Sequence, residues 1–109
     1  MASIFHILPA ADWRQACARG SYAPASLATE GFVHFSYRSQ VARTANARFA
    51  GRDDLVVVEV DPARLTEPVV DEDSYGAGER FPHVYAAIPT ASATAVHPLP
   101  RDSAGRFEF

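Results

Sequence analysis

The segment Leu55–Val60 constrains the fold more than any other part of this sequence, because it is apolar at nearly every position. A strand that lacks alternation between apolar and polar residues is covered on both of its faces, so this segment is predicted to be a central strand. The chain has 109 residues, a length that fits one core. We therefore predict a single domain over residues 1–109, organised around this strand.

Helical patterns come early in the chain and strand patterns come late. A first helix is predicted to follow Pro9 and to end at Gly20, and a second helix is predicted to begin after Ser39 as its N-cap. A doubly wound fold would need further helices between the late strands, so the order favours an α+β fold with both helices packed on the sheet. The remaining predictions are strands over 4–8, 32–37, 55–60, 69–70, 81–88 and 94–99, a loop over 22–29 and a glycine loop over 73–80.

Each predicted helix has residues at helical spacing that are expected to face the core. The single cysteine lies in the first of these helices, which excludes an internal disulfide and any multi-cysteine metal site. The expected core positions are Trp13, Ala16 and Cys17 in the first helix, and Val41, Ala45 and Phe49 in the second.

Charge and composition exclude several classes of function. The net charge is -3 and the ten basic residues, all arginine, are scattered singly, so binding of duplex nucleic acid or anionic lipid is not expected. A chain without lysine has no Schiff-base chemistry, whereas arginine remains available to bind carboxylate or phosphate groups. The first residues contain neither a basic segment nor a long apolar run. We therefore expect no signal peptide, no membrane span and a cytoplasmic location.

Three predicted strands each contribute one histidine. Side chains alternate between the two faces of a strand, so His34 and Ser36 are expected to lie side by side on one face. If the three strands are neighbours and share their histidine faces, the imidazoles form the floor of a cleft. The predicted floor is His6, His34, Ser36 and His83, and the predicted walls are Ile4, Leu8, Phe32 and Tyr85.

The pattern of histidines has other interpretations. Each ring could be a half-buried strand residue that hydrogen-bonds a neighbour, which is the expectation for any single histidine of this kind. Three histidines from separate strands could also bind zinc and leave a water for hydrolysis. A module that binds a ligand or partner without turnover is a further alternative. His97, which precedes Pro98, is expected at the surface.

Charged residues stand at both ends of the predicted glycine loop. Glu72 lies in the acidic run at the start of the loop, and Arg80 lies at the end of the loop. A carboxylate and a guanidinium beside the predicted cleft are suited to binding a polar ligand. The alternative is an ion pair between Glu72 and Arg80 that stabilises the loop.

Two segments resemble the paired signatures of the DUF952 family, a small bacterial family of unknown function. These are 31–36, Gly-Phe-Val-His-Phe-Ser, with Gln40 after it, and 81–85, Phe-Pro-His-Val-Tyr. The chain differs from the family pattern at Asp71, where a tryptophan often precedes the glutamate. The resemblance covers essentially the whole chain and includes Phe5-His6-Ile7, Trp13 with Ala16 and Gly20, the Leu55 strand, Glu72 and the turn at Gly105.

The resemblance implies a fold similar to that of the ADP-ribosyltransferases, whose split antiparallel or mixed sheet holds NAD in a cleft. In those enzymes one histidine holds the ribose region, a second ring packs on nicotinamide, and a third polar residue steadies the transition state. By resemblance these roles fall to His6, to His34 and to either His83 or Glu72. The catalytic candidates are thus His34, His83 and Glu72, and the ligand-binding candidates are His6, Ser36, Gln40, Arg80 and Tyr85.

The resemblance therefore implies a domain that binds NAD, as a substrate, or a related nucleotide, with ADP-ribosyl or phosphoryl transfer as its activity. Loss of nicotinamide builds positive charge on the ribose, which a carboxylate such as that of Glu72 is suited to stabilise. Arg80 is suited to hold a phosphate with two parallel hydrogen bonds.

Overall fold

Three helices and eight strands form the fold in the part of the chain that the computed structural model describes, residues 2–73, 76 and 78–109. Part of the predicted glycine loop lies outside the described residues. The helices are α1 (Ala10–Arg19), α2 (Ala25–Thr29) and α3 (Arg38–Arg48). The strands are β1 (Ile4–Pro9), β2 (Ser21–Tyr22), β3 (Val33–His34), β4 (Leu55–Val60), β5 (Val69–Glu72), β6 (Phe81–Val84), β7 (Ile88–Pro89) and β8 (Ala93–Pro98).

The strands pair in three antiparallel sheets, which confirms the prediction of an α+β fold with antiparallel strands. The first sheet has the order β1–β4–β8, so β4 is the central strand that its apolar sequence predicts. The third sheet has the order β3–β6–β5, and β2 pairs with β7 in a small second sheet. No helix in the described ranges is long and apolar enough to cross a bilayer.

Strand β1 is buried on both faces because its side chains alternate between two apolar clusters. On one face, Ile4 and Leu8 pack with Trp13 of α1. On the other face, Phe5 and Ile7 pack against α3. The first sheet therefore lies between two layers, with α1 on one side and α3 on the other.

The first and third sheets meet where β1 approaches the segment after β3. The backbone N–H of Phe5 donates to the carbonyl of Ser36 at 2.8 Å, and the N–H of Ser36 donates to the carbonyl of Phe5 at 2.7 Å. From this bridge β1 continues along β4 while β3 continues along β6. The backbones therefore separate, and the gap between the two sheets is the place where a site can form.

The strand predicted over 32–37 is much shorter in the structure. Only Val33–His34 is regular strand, since Ser36 leaves β6 to pair with Phe5. The helix that follows has Tyr37 as its N-cap, not Ser39, because the Tyr37 N–H donates to the side chain of Gln40 at 2.9 Å. The predicted strand over 81–88 is also interrupted: β6 ends at Val84, and β7 pairs with β2.

Two further predictions about the first third of the chain are wrong. The predicted loop over 22–29 contains the end of β2 and the helix α2, because Pro24 takes the extended N-cap conformation that precedes a helix. Cys17 is exposed, since the buried stripe of α1 is narrow and contains only Trp13 and Ala16. The predicted end of α1 is confirmed, with Gly20 in the left-handed conformation at φ 80°.

Candidate functional site

A cavity of about 430 Å³ lies where β1 and β3 separate, with α3 on its other side. This volume falls within the range of about 300–1,000 Å³ that small-molecule sites in proteins have. Aromatic rings and aliphatic carbons make up most of the lining, and the polar groups are few. The lining residues are Phe5, His6, Ile7, His34, Phe35, Ser36, Arg43, Thr44, Ala47, Arg48, Phe49, Glu79 and Phe81.

Two of the predicted histidines lie on one face of the third sheet. His34 of β3 is directly opposite His83 of β6, and residues that face each other across antiparallel strands point to the same side. Their ring centroids are 5.4 Å apart. Phe32 covers His83 in a stacked arrangement at 4.1 Å and contacts His34 at 4.7 Å. The shared histidine face is therefore confirmed for this pair, although His34 lines the cavity while His83 is completely buried behind Phe32.

The carboxylate of Glu72 holds His83 in place. His83 Nδ1 donates to Glu72 Oε1 at 3.0 Å, and the hydroxyl of Tyr85 donates to the same oxygen. These bonds from Tyr85 and His83 lower the pKa of Glu72, so its carboxylate is ionised at neutral pH and accepts both. Glu72 thus pairs with His83 and Tyr85 rather than with Arg80, and its carboxylate holds the His83 imidazole in one orientation.

His6 connects β1 to β3 through its side chain. Its Nδ1 lies 2.5 Å from the carbonyl oxygen of His34, and because a carbonyl only accepts, Nδ1 carries the proton. Nε2 therefore accepts from the hydroxyl of Tyr22 at 2.9 Å. Burial lowers the pKa of His6 from 6.5 to about 4, and burial together with Asp12 raises the pKa of Tyr22 to about 12. Both side chains are neutral at pH 7, and both His6 ring nitrogens are occupied.

His34 is the predicted site residue that belongs to both the cavity and the pair that it forms with His83. Its Nε2 donates to Glu30 Oε2 at 2.7 Å, and its side chain is 27% exposed. Burial lowers the pKa of His34, although the hydrogen bond and charge of Glu30 oppose this shift. An imidazole in this setting is neutral at physiological pH.

The other ligand-binding candidates differ in how they relate to the cavity. Ser36 lines it and is buried, with its hydroxyl 3.5 Å from that of Thr44. Gln40 is buried beside the cavity, where its amide donates to Glu79 and to the backbone carbonyl of Arg80, both at 2.9 Å. Arg80 itself is exposed. Neither Arg80 nor Tyr85, whose side chain is also exposed, contributes to the lining.

None of the four predicted cleft walls, Ile4, Leu8, Phe32 and Tyr85, lines the cavity. Ile4 and Leu8 are 1% and 2% exposed and belong to the core, because their face of β1 is covered by α1. The alternating partners Phe5 and Ile7 line the cavity instead. The face of β1 that lines the cavity is therefore opposite to the predicted one. His6 lies on the same face of β1 as Ile4 and Leu8, and it still contributes to the lining.

The three histidines do not form a metal-ligand set. Within residues 2–73, 76 and 78–109, no group of three histidine, cysteine, aspartate or glutamate side chains is arranged to hold a metal ion. Both ring nitrogens of His6 are engaged by Tyr22 and by the His34 carbonyl. The zinc-hydrolase alternative therefore lacks its ligands in this arrangement.

Sequence reasoning missed the charged residues that α3 and the loop before β6 contribute. Arg43, Thr44 and Arg48 line the cavity from α3, and Glu79 lines it from the segment before β6. The Thr44 hydroxyl and the two guanidinium groups lie next to the buried stripe of Val41 and Ala45. That side of α3 has the polar sequence that is typical of a solvent-exposed face. The sequence signal that could have indicated these lining residues is the helical periodicity of α3, taken together with the position of this helix directly after the predicted cleft strand.

Comparison with protein-family models and solved structures identifies proteins that are similar to this chain. Residues 7–96 match the family model described as Protein of unknown function (DUF952). The chain belongs to this family. The crystal structure of protein CC0527 from Caulobacter crescentus is 33% identical and covers 98% of this chain and 94% of that chain, with a TM-score of 0.86. The solution NMR structure of CC0527 is 33% identical and covers 97% and 91%, with a TM-score of 0.78.

A search of curated proteins gives no match. The DUF952 match confirms the family resemblance that the two histidine segments indicate, and it spans every candidate site residue except His6, which immediately precedes it. The matched range contains α3 and both strands of the histidine pair, and the match assigns no reaction to them.

Proposed function

We propose that the cavity between β1, β3 and α3 binds a nucleotide, and that NAD and ADP-ribose are the ligands to test first. The observation that supports this most directly is the composition of the cavity lining. Phe35, Phe49 and Phe81 supply aromatic surface, and Arg43 and Arg48 supply guanidinium groups. Aromatic faces stack with the bases of a nucleotide, and arginine binds its phosphates with paired hydrogen bonds.

His34 is the residue that we place against the bound nucleotide. Its ring lines the cavity, and its position is fixed by the contact with Phe32 and by the hydrogen bond to Glu30. His6 fixes the backbone of His34 by donating to its carbonyl. The ring therefore needs little reorganisation to hydrogen-bond a ribose hydroxyl, which is the condition for efficient positioning of a substrate.

In this proposal, His83 and Glu72 position His34 and do not contact the ligand themselves. Glu72 orients His83, and His83 lies opposite His34 on the sheet. A carboxylate that is bound to two other side chains acts through the residue that it orients rather than by direct contact with the ribose. We therefore assign Glu72 and His83 as positioning residues and His34 as the contact residue.

Binding is tested by isothermal titration calorimetry with NAD and with ADP-ribose. We expect the wild-type chain to bind at least one of them, and we expect His34→Ala to weaken this binding at least tenfold. The melting temperature is expected to change little, because the His34 side chain is partly exposed and exposed ion pairs contribute about 0–1 kcal/mol.

The matched control is His97→Ala. His97 also pairs with a glutamate, with Nε2 at 2.7 Å from Glu59 Oε1, but it lies outside the cavity lining. We expect this variant to bind as the wild type does. Absence of heat from both nucleotides at millimolar concentration, with the protein still folded, would contradict the proposal.

A bound nucleotide can be held intact or cleaved, and product analysis distinguishes these uses. In ADP-ribosyl transfer, the bond between ribose and nicotinamide breaks, and nicotinamide leaves with the bonding electrons. An acceptor oxygen or nitrogen bonds to the ribose carbon and loses its proton, which the neutral imidazole of His34 can take. We propose that His34 assists this step, so incubation with NAD is expected to release nicotinamide in the wild type and not in His34→Ala. Binding without any release would identify a binding module instead.

A further inference from the structure

Three polar residues of α3 face the cavity together. Thr44 and Arg48 lie at positions i and i+4 on one face of the helix, Arg43 lies on the adjoining face, and all three line the cavity. The hydroxyl of Thr44 is also 3.5 Å from that of Ser36, which lines the cavity from the β3 side. The α3 side of the cavity is therefore rich in hydrogen-bond donors.

The same part of the cavity contains a carboxylate. Glu79 lines the cavity and accepts hydrogen bonds from the Arg43 guanidinium and, at 2.9 Å, from the Gln40 side-chain amide. Gln40 is 5% exposed, and its amide oxygen accepts from the Tyr37 N–H, so the amide that holds Glu79 is itself fixed. These bonds from Gln40 and Arg43 lower the pKa of Glu79, which is therefore ionised at neutral pH.

Guanidinium groups outnumber carboxylates among the described residues of the lining. They are those of Arg43 and Arg48, against the carboxylate of Glu79. The Arg43 side chain is 64% exposed, and an exposed ion pair contributes little to the stability of a protein. A phosphate carries more charge than a carboxylate and offers more acceptor oxygens, so it can replace Glu79 as the partner of Arg43 at low energetic cost.

We infer that α3 forms an anion subsite in which Arg43, Arg48 and Thr44 bind phosphate groups of the ligand, and that Glu79 competes with these groups for Arg43. The identity of the ligand as a nucleotide rests on the proposed function, whereas the subsite stands on the arginine pair alone. The inference makes the ligand of this cavity a di-anion or a diphosphate rather than a neutral or cationic molecule. Glu79 then sets the affinity by occupying Arg43 in the absence of the ligand.

Inorganic pyrophosphate tests the subsite without a base or ribose. Isothermal titration is done on the wild type and on Arg43→Gln, Arg48→Gln and Glu79→Gln. We expect each arginine variant to weaken pyrophosphate binding at least tenfold, because each removes one guanidinium from the lining. We expect Glu79→Gln to strengthen binding about tenfold, because the amide can still accept the Gln40 hydrogen bond but no longer competes as an anion.

Matched variants correct for the change in net charge. Arg14→Gln on α1 and Glu67→Gln before β5 alter exposed residues that do not line the cavity, and both are expected to bind pyrophosphate within twofold of the wild type. A melting curve for every variant establishes that it is folded. Equal binding by all variants, or no binding of pyrophosphate by the wild type, would overturn the subsite. Weaker binding by Glu79→Gln would overturn the competition by Glu79.

Parallel titrations separate this inference from the proposed function. If ADP-ribose and adenosine bind but pyrophosphate does not, the anion subsite is wrong and the nucleotide proposal stands. If pyrophosphate binds with the expected dependence on Arg43 and Arg48 but NAD and ADP-ribose do not, the subsite is supported and the nucleotide proposal is wrong.

Discussion

Replacing His83 by alanine is expected to lower the free energy of unfolding by about 3 kcal/mol. The imidazole is completely buried, stacks on Phe32 at 4.1 Å and donates to Glu72. Alanine would leave a cavity the size of the ring and remove a hydrogen bond to a charged group. Urea denaturation followed by the fluorescence of Trp13, the single tryptophan, measures this change.

Two variants show whether the loss comes from the buried ring. Tyr85→Phe removes the other donor to Glu72 at an exposed position, and His34→Ala removes the neighbouring, partly exposed imidazole. Each is expected to cost much less than the loss of the His83 ring, because surface interactions contribute little. A His83→Ala protein as stable as these two would show that the ring is not part of the packed structure.

Acidification is expected to destabilise the protein through His6. The pKa of His6 is 6.5 in an unfolded chain and is lowered to about 4 by burial in the folded one. Between these values the unfolded chain binds a proton that the folded chain excludes, so stability falls as the pH decreases through this interval. The loss amounts to roughly 3 kcal/mol at the lower end. Urea denaturation at a series of pH values from 7 to 4 measures it.

The variant His6→Asn separates this effect from the titration of carboxylates. Its amide can still donate to the His34 carbonyl but does not titrate, so its stability is expected to depend much less on pH above 4.5. Tyr22→Phe removes a partner of His6 but keeps the imidazole, and it is expected to keep the pH dependence. Identical slopes for the wild type and His6→Asn would show that another group is responsible.

Alternation along strands was the most informative pattern in the sequence. It placed Phe32 with His34 and placed Val33 on the opposite face, and the structure has both arrangements because the side-chain period of a strand is fixed. The pairing of His34 with His83 depends on register, which the sequence of either strand does not contain. A family resemblance indicated that these strands belong to one site, but their alignment required the fold.

The features that the sequence did not reveal depend on contacts between distant segments. Glu79 is one charged residue in a polar loop, and only the fold places it against Gln40 and Arg43. Ser39 has the residue type typical of an N-cap, yet the helix begins two residues earlier, because the side-chain oxygen of Gln40 accepts from the Tyr37 N–H. Local preference was overridden in each case by a tertiary or capping hydrogen bond.

The connection between the two sheets has a consequence for ligand size. In the described part of the chain, β1 and the β3 segment are joined by the backbone bridge between Phe5 and Ser36 and by the side chain of His6. The cluster that contains Val58 of the first sheet and Val33 and Val84 of the third also packs across this junction, so the two sheets do not depend on His6 alone. A shorter or longer side chain at position 6 is therefore expected to change the width of the opening beside His34 while the two sheets stay packed together.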